Sequence, residues 1–180
     1  ADSSEAKEFV KKAYAISEEY DTPVIVRTTT RLSHSQGLVE LCDREEIEDR
    51  PYERNVQKFV MMPGNAIRRH LVVEAREQKL AEDACSMDIN QVELGDRKIG
   101  FITAGIAYHY VKEVMPEASV LKLGIVNPLP RKLIEDFAAK VDQLYIFEEL
   151  EPLIEEQVRS WGISCIGKEV FSVQGEYSAN

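Results

Sequence analysis

The sequence predicts an α/β protein with a mainly parallel sheet flanked by helices. Two observations carry this. From residue 96 onward, short apolar runs alternate with helical patterns of about 10–15 residues, the order of parallel strands joined by helical crossovers. At the start, one amphipathic helix precedes one β-branched run, a single α–β unit that cannot cover both faces of its own strand.

Taken in order, Ala6, Phe9, Val10, Ala13, Tyr14 and Ser17 recur at helical spacing. Asp2, with Glu5 three residues later, suits the helix start, and Asp21-Thr22-Pro23 stops it. Val24-Ile25-Val26 then predicts a buried strand running into Arg27-Thr28-Thr29-Thr30. Residues 1–35 are therefore expected to end a larger α/β domain whose beginning lies elsewhere.

Residues 36–95 are expected to be a linker with one helix. Positions 40–58 are charged and poor in apolar periodicity, and Glu45 through Pro51 predicts a surface connector. Pro63-Gly64-Asn65 predicts a turn, with Asn65 capping the next helix. Ile67, Leu71, Val72, Ala75, Leu80 and Ala84 form its apolar face, and Arg68, Arg69, Arg76 and Lys79 a solvated one.

Residues 96–180 are expected to form the sheet domain. Ile99–Thr103 predicts a strand, and Ala104-Gly105 turns into a helix with Ile106, Ala107, Tyr110, Val111 and Val114 inward, ended by Pro116. Val120–Leu123 is the next strand. Asn127-Pro128-Leu129-Pro130 opens a helix that buries Leu133, Ile134, Phe137 and Ala138. Leu144–Phe147 is a third strand, ending at Glu148-Glu149. Pro152 starts a helix with Ile154, Val158 and Trp161 inward and Gly162 as its C-cap. Ile163–Ile166 and Glu169–Val173 predict two short strands.

Composition bounds the function. The 180 residues are 44% apolar and 30% charged, enough for a core and a solvated surface, with a net charge of −10. That charge opposes nucleic acid and anionic membranes, which recruit basic faces. Ala1 to Glu5 carry neither a signal-peptide pattern nor an initiator Met, so an internal fragment of a cytoplasmic protein is expected. Cys42, Cys85 and Cys165 are too scattered for a disulfide framework or a metal motif, and read as buried, reduced thiols.

In an open parallel sheet, ligands gather outside the carboxyl ends of the strands. Those positions are Thr103–Gly105, Gly124–Pro130 and Glu148-Glu149. Gly105 would allow a backbone to approach a ligand at a helix start, but a tight β–α turn is the favoured explanation. Glu148 and Glu149 could divide acid–base work, bridge a subunit contact or face water. His34, beside Arg31 and Ser33, could bind an anion, shuttle a proton or tie the connector to the strand end. His70 and His109 are expected on helices without a ligand-type partner at i+4. No Gly-rich phosphate loop and no nucleophile elbow occurs.

Longer stretches carry a resemblance. Ile99-Gly-Phe-Ile-Thr-Ala-Gly105, Leu121-Lys-Leu-Gly-Ile-Val-Asn-Pro-Leu-Pro130 and Tyr145-Ile-Phe-Glu-Glu149 resemble the transketolase C-terminal-like domain of thiamine diphosphate enzymes. Arg31-Leu-Ser-His34 is similar to the motif ending the pyrimidine-binding domain of the 2-oxoacid:ferredoxin oxidoreductase family. Thr22–Ser35 and Gly95–Tyr108 are closest in pattern to the alpha subunits of its indolepyruvate members.

The resemblance implies a parent enzyme that oxidatively decarboxylates aryl-2-oxoacids to acyl-CoA, with ferredoxin as electron acceptor. It implies thiamine diphosphate, Mg²⁺, 4Fe-4S clusters and coenzyme A for that parent, and a beta subunit and ferredoxin as partners. It also implies that residues 1–35 end the pyrimidine-binding domain. The family's thiamine-activating glutamate, its Gly-Asp-Gly…Asn-Asn diphosphate motif and its cluster-binding cysteines have no match here. No catalytic, cofactor or metal residue can be carried over, and no cofactor is expected on the chain itself. Arg31, Ser33, His34, Gly105, Glu148 and Glu149 remain candidates for interdomain or site-proximal roles. Self-association through the uncovered α–β unit is expected. The alternatives are a pyruvate-type member, a stand-alone Rossmann-like regulatory or interaction module, and a transferase working at Gly105 and Asn127–Pro130.

Overall fold

In a computed structural model, residues 2–46 and 51–179 are described. Among the described residues, seven helices and four strands run in the order α1 (Ser3–Tyr20), α2 (Thr30–His34), α3 (Val56–Phe59), α4 (Pro63–Asp83), β1 (Gln91–Glu93), β2 (Asp96–Ala104), α5 (Ala107–Val114), β3 (Ala118–Leu123), α6 (Arg131–Ala138), β4 (Gln143–Phe147) and α7 (Leu153–Ser160).

The sheet has the order β1-β3-β2-β4. β2 pairs in parallel with β3 and β4, and the edge strand β1 pairs antiparallel with β3. The sheet is therefore mainly parallel, as the alternating pattern requires. Side chains alternate across it. Ile102, Leu121, Leu123, Leu144 and Ile146 face Ile134 and Phe137 of α6 and Ile154 and Val158 of α7. Phe101, Val120, Tyr145 and Phe147 face the opposite side, where Val111 of α5 packs. β3 and β4 flank β2 on opposite sides, so the chain reverses direction across the sheet beside β2 and β4.

The N-terminal half departs from expectation. α1 forms as the spacing requires: the Asp2 carboxylate accepts from Glu5 N at 2.9 Å, and Asp21 closes the helix in the left-handed region. Its expected inward Tyr14 is 73% exposed, because α1 packs through polar contacts rather than an apolar stripe. Val24-Ile25-Val26 does not form a buried strand: Ile25 is 90% exposed, and no strand is formed there among the described residues. Arg31–His34 lies on α2, whose start Thr29 caps. The expected connector at Glu45–Pro51 falls partly on residues 47–50, outside the described residues.

α4 starts at Pro63 itself, with Met62 at its N-cap; Asn65 instead donates to Val60 O at 2.9 Å. Its Ile67 and Leu71 are exposed, while Arg69 and Arg76 turn toward Asp21. The expectation therefore fails at Ile67, Leu71, Arg69 and Arg76, whereas Ala84 is buried and Arg68 and Lys79 are exposed as expected. In the sheet unit, Val114 is exposed, Pro130 caps α6, and Gly162 (φ +81°) follows the Trp161 C-cap of α7. The two short strands expected at 163–173 reduce to one bridge, Tyr145 to Ile166. Beyond it, Gly167 turns the chain, and Lys168 N bonds the Glu155 carboxylate instead of a strand.

Candidate functional site at the carboxyl edge of the sheet

The parallel order brings Gly105, Gly124–Pro130 and Glu148–Glu149 to one edge, between the ends of β2, β3 and β4. Thr103 Oγ1 donates to Phe147 O at 2.8 Å and closes the seam between the ends of β2 and β4. Gly105 sits at φ +62° with open space where a Cβ would stand. It serves the turn into α5; no atom approaches it closely. The Asn127–Pro128 peptide is cis.

Asn90, which the sequence reading missed, organises the β3 end. Its Oδ1 accepts from Gly124 N (2.9 Å) and Ile125 N (3.2 Å), and its Nδ2 donates to Ala84 O (2.8 Å). One buried amide thus ties the loop after β3 to the end of α4. A Cβ on Gly124 would collide with Ile89 O, so only glycine lets the strand pass there.

Glu148 and Glu149 leave β4 toward different partners. Glu148 is buried, and its carboxylate accepts from Ile154 N (3.0 Å) and Glu155 N (2.9 Å), capping α7. Burial pushes its pKa above the usual carboxylate value, against these two N–H donors. Glu149 accepts from Tyr177 N at 2.9 Å. The turn between them and α7 places Leu150 at φ +62°, a left-handed conformation that Leu rarely adopts. Glu155, also buried, accepts from Lys168 N (2.8 Å) and pairs with Arg159 (2.9 Å). A Cβ on Gly167 would overlap the Glu155 carboxylate.

The segment after α7 links this edge to the N-terminal half. Lys168 Nζ donates to Glu148 O and to Tyr177 Oη (2.9 Å). Tyr177 stacks on Phe147 with centroids 4.8 Å apart. The neighbouring Glu176 accepts from Arg31 Nε at 2.7 Å. Arg31, Glu148 and Glu149 are therefore brought to one neighbourhood by residues 168–177. Beneath this segment lies a groove of about 640 Å³, lined chiefly by Phe101, Tyr110, Tyr145, Phe147, Phe171 and Tyr177.

The remaining candidates stand apart. Ser33 Oγ donates to Thr28 Oγ1 at 3.1 Å. The His34 side chain is exposed at the end of α2, and among the described residues it makes no hydrogen bond or ion pair. His70 Nε2 does meet an i+4 partner, Glu74, at 3.2 Å, in an exposed pair. Only Cys165 of the three thiols is buried, and burial raises its pKa; Cys42 is exposed.

A second polar cluster joins α1 to the far edge of the sheet. Tyr108 Oη donates to Glu93 at 2.6 Å, and Lys112 pairs with the same carboxylate at 2.9 Å. The bond to Glu93 and then burial push Tyr108 up to about 12. Lys122 lies 4.5 Å from the Tyr108 ring centre and pairs with Glu5 of α1. Burial lowers its pKa. Among the described residues, no group of three or more His, Cys, Asp or Glu side chains is placed to hold a metal ion. No described helix is long and apolar enough to cross a membrane.

No protein-family model matches the sequence. The chain is 33% identical over 166 residues to the indolepyruvate oxidoreductase subunit IorA of Archaeoglobus fulgidus, covering 89% of this chain and 27% of that one. It is 36% identical over 169 residues to the subunit of the same name from Thermococcus kodakarensis, covering 87% of this chain and 26% of that one. Among solved structures, a 2-oxoglutarate:ferredoxin oxidoreductase from Magnetococcus marinus aligns with a TM-score of 0.47 and 18% identity, over 59% of this chain and 20% of that one. The chain spans about a quarter of the length of the curated relatives it matches, and over that part it is similar to indolepyruvate oxidoreductase subunits.

Proposed function

We propose that this chain is a scaffold piece of a cytoplasmic oxidoreductase. The whole enzyme would oxidatively decarboxylate aryl-2-oxoacids such as indolepyruvate to acyl-CoA, with ferredoxin as electron acceptor. The observation that carries the reading is the likeness over nearly nine tenths of the chain to a quarter of subunits bearing that name. In this reading residues 1–35 end one domain, residues 36–95 link, and residues 96–180 form a transketolase C-terminal-like domain. The remaining domains of the subunit, a beta subunit and ferredoxin are its partners.

The polar groups at the carboxyl edge support a structural rather than a chemical role. The Glu148 carboxylate caps a helix, Glu149 holds Tyr177, and Asn90 holds a loop. Each is occupied within the chain. Thiamine diphosphate, its Mg²⁺ and 4Fe-4S clusters would supply the carbanion and electron-transfer chemistry of the whole enzyme. The residues at hand do not fit them: the three cysteines are dispersed, and no metal-holding cluster occurs among the described residues. No step is therefore routed through this chain.

A hybrid tests the reading. This chain replaces the matching quarter of an archaeal IorA subunit, co-expressed with its natural partners. Indolepyruvate-dependent reduction of ferredoxin is expected to persist. A folded, assembled hybrid without turnover would contradict the proposal. So would a saturable rise in the melting temperature of the isolated chain on adding thiamine diphosphate and Mg²⁺.

A further inference from the structure

We propose that residues 168–177 form a strap that opens as one unit from the end of β4, with the Lys168 ammonium as its latch. An ammonium carries three N–H donors and no acceptor. Here each donor has a partner: Lys168 Nζ donates to Glu148 O just after β4, to Ser172 O (3.4 Å) and to Tyr177 Oη (2.9 Å). Tyr177 Oη in turn donates to Ser172 O at 2.6 Å. One charged group thus ties the root, the middle and the far end of the segment to the strand.

The root is fixed separately. Lys168 N donates to the buried Glu155 carboxylate (2.8 Å), and Val170 N and Phe171 N both bond Gly167 O. Beyond Phe171 the attachment is by side chains. Glu149 accepts from Tyr177 N (2.9 Å), and Arg31 pairs with Glu176 at the surface. Phe171 and Tyr177 each set a ring against Phe147, with centroids 4.8 Å apart. Val170 and Val173 are exposed, and no side chain of the strap is buried. A segment held by few, partly exposed contacts opens at a free energy well below that of global unfolding.

The closed strap covers a place where function gathers in parallel sheets, the carboxyl end of a strand. It engages the Glu149 carboxylate, and it supplies Phe171 and Tyr177 to the wall of the aromatic groove. Opening returns Glu149 to solvent and takes that wall away from Phe101, Tyr145 and Phe147. The strap is therefore an internal competitor for Glu149, and Lys168 sets how often the carboxylate is free.

Hydrogen exchange at the Tyr177 amide, resolved by NMR at several sub-denaturing urea concentrations, is the test. In the unaltered chain this amide should exchange faster than those of β2 and β4. Its rate should not rise with urea, because local opening exposes little surface. Lys168→Met keeps the apolar stem and deletes the three donors; it should quicken the amide about tenfold or more, still without urea dependence. Tyr177→Phe keeps the ring on Phe147 and deletes the hydroxyl, and should quicken it about threefold or more. The double variant should show less than the product of the two effects, since both remove the same bond. Arg31→Ala, which breaks an exposed pair, should stay within about twofold. A Tyr177 amide that follows β4 in its urea dependence, or that ignores Lys168→Met, overturns the strap. Effects that multiply in the double variant, or an Arg31→Ala effect as large as that of Lys168→Met, overturn the latch. The strap is independent of the catalytic reading, so the hybrid enzyme can fail while these exchange results hold.

Discussion

In the sheet unit, residues 91–171, Ile102, Leu121, Ile134, Phe137, Ile146 and Val158 are almost wholly buried. In residues 2–83, Tyr20 is the one buried apolar side chain among the described residues. That half presents Ile25, Leu38, Leu41, Ile67 and Leu71 to solvent. It is held instead by polar contacts: Tyr20 to Asp83 (2.6 Å), Lys12 to Asp88 (2.7 Å), Lys11 to Glu45 (3.2 Å), and Lys122 to Glu5. Exposed ion pairs contribute about 0–1 kcal/mol each, whereas one buried core side chain contributes several times that. The sheet unit therefore holds most of the buried core, and the helical half is joined to it by polar pairs, of which Lys12–Asp88 is partly exposed and Lys122–Glu5 largely buried.

The largest expected effect sharpens that contrast. Phe137→Ala removes a fully buried ring between α6 and the sheet and should cost about 3–5 kcal/mol. Ile67→Ala on α4 removes an exposed side chain and should stay within about 0.5 kcal/mol. Urea unfolding of both variants checks the pair, and equal losses would break the comparison.

Asn90→Ala comes next. It strands two part-buried N–H groups, at Gly124 and Ile125, and should cost about 1–3 kcal/mol. Hydrogen exchange should then quicken in the loop after β3 and at the end of α4.

Acid should separate the two regions in opposite senses. Asp21 and Asp83 in the helical half have pKa values held below 3.8, first by the hydrogen bonds from Lys58 and Lys79 respectively. Their stabilisation is present above that value and is lost as pH falls through the depressed folded values. Glu148 in the sheet unit behaves inversely, because burial raises its pKa above 4.5. The native state holds that proton more tightly, so this group's contribution falls as pH rises from 4.5 through the raised folded value. Lowering the pH below 4 should release α1 before β2–β4 unfold, as read by residue-resolved NMR. Glu148→Gln should flatten the sheet unit's own dependence between pH 4.5 and neutrality.

The smallest effect is spectroscopic. Glu93→Gln weakens the acceptor that holds the Tyr108 proton, and its ionisation should fall from about 12 toward the ordinary 10. Ultraviolet titration near the phenolate band reads this directly.

The sheet unit was legible because its strands are long apolar runs bounded by Gly and Pro, and each meets a partner within the chain. β1 was not: three residues, Gln91–Glu93, carry too little pattern, and they pair antiparallel with β3 only once the fold exists. Val24–Val26 shows the reverse failure. Its residues favour a strand, but a strand also needs a neighbour, and the described chain offers none. Ile163–Ile166 misled similarly, since the Glu155 carboxylate captures Lys168 N and ends the ladder after one bridge. At the carboxyl edge, parallel order predicted where Gly105 and Glu148-Glu149 would gather. The roles of Asn90, Glu155, Lys168 and Tyr177 were hidden, because each depends on partners distant in sequence.

Native-state hydrogen exchange followed residue by residue tests the central claim most directly. The account predicts that amides of β2, β3 and β4 exchange only through global unfolding. Those of α1 and α4 should exchange through local opening that ~1 M salt accelerates, since screening weakens the pairs that dock them. If α1 instead shows the protection of β2 and no response to salt, the two halves form one cooperative unit and the account is wrong.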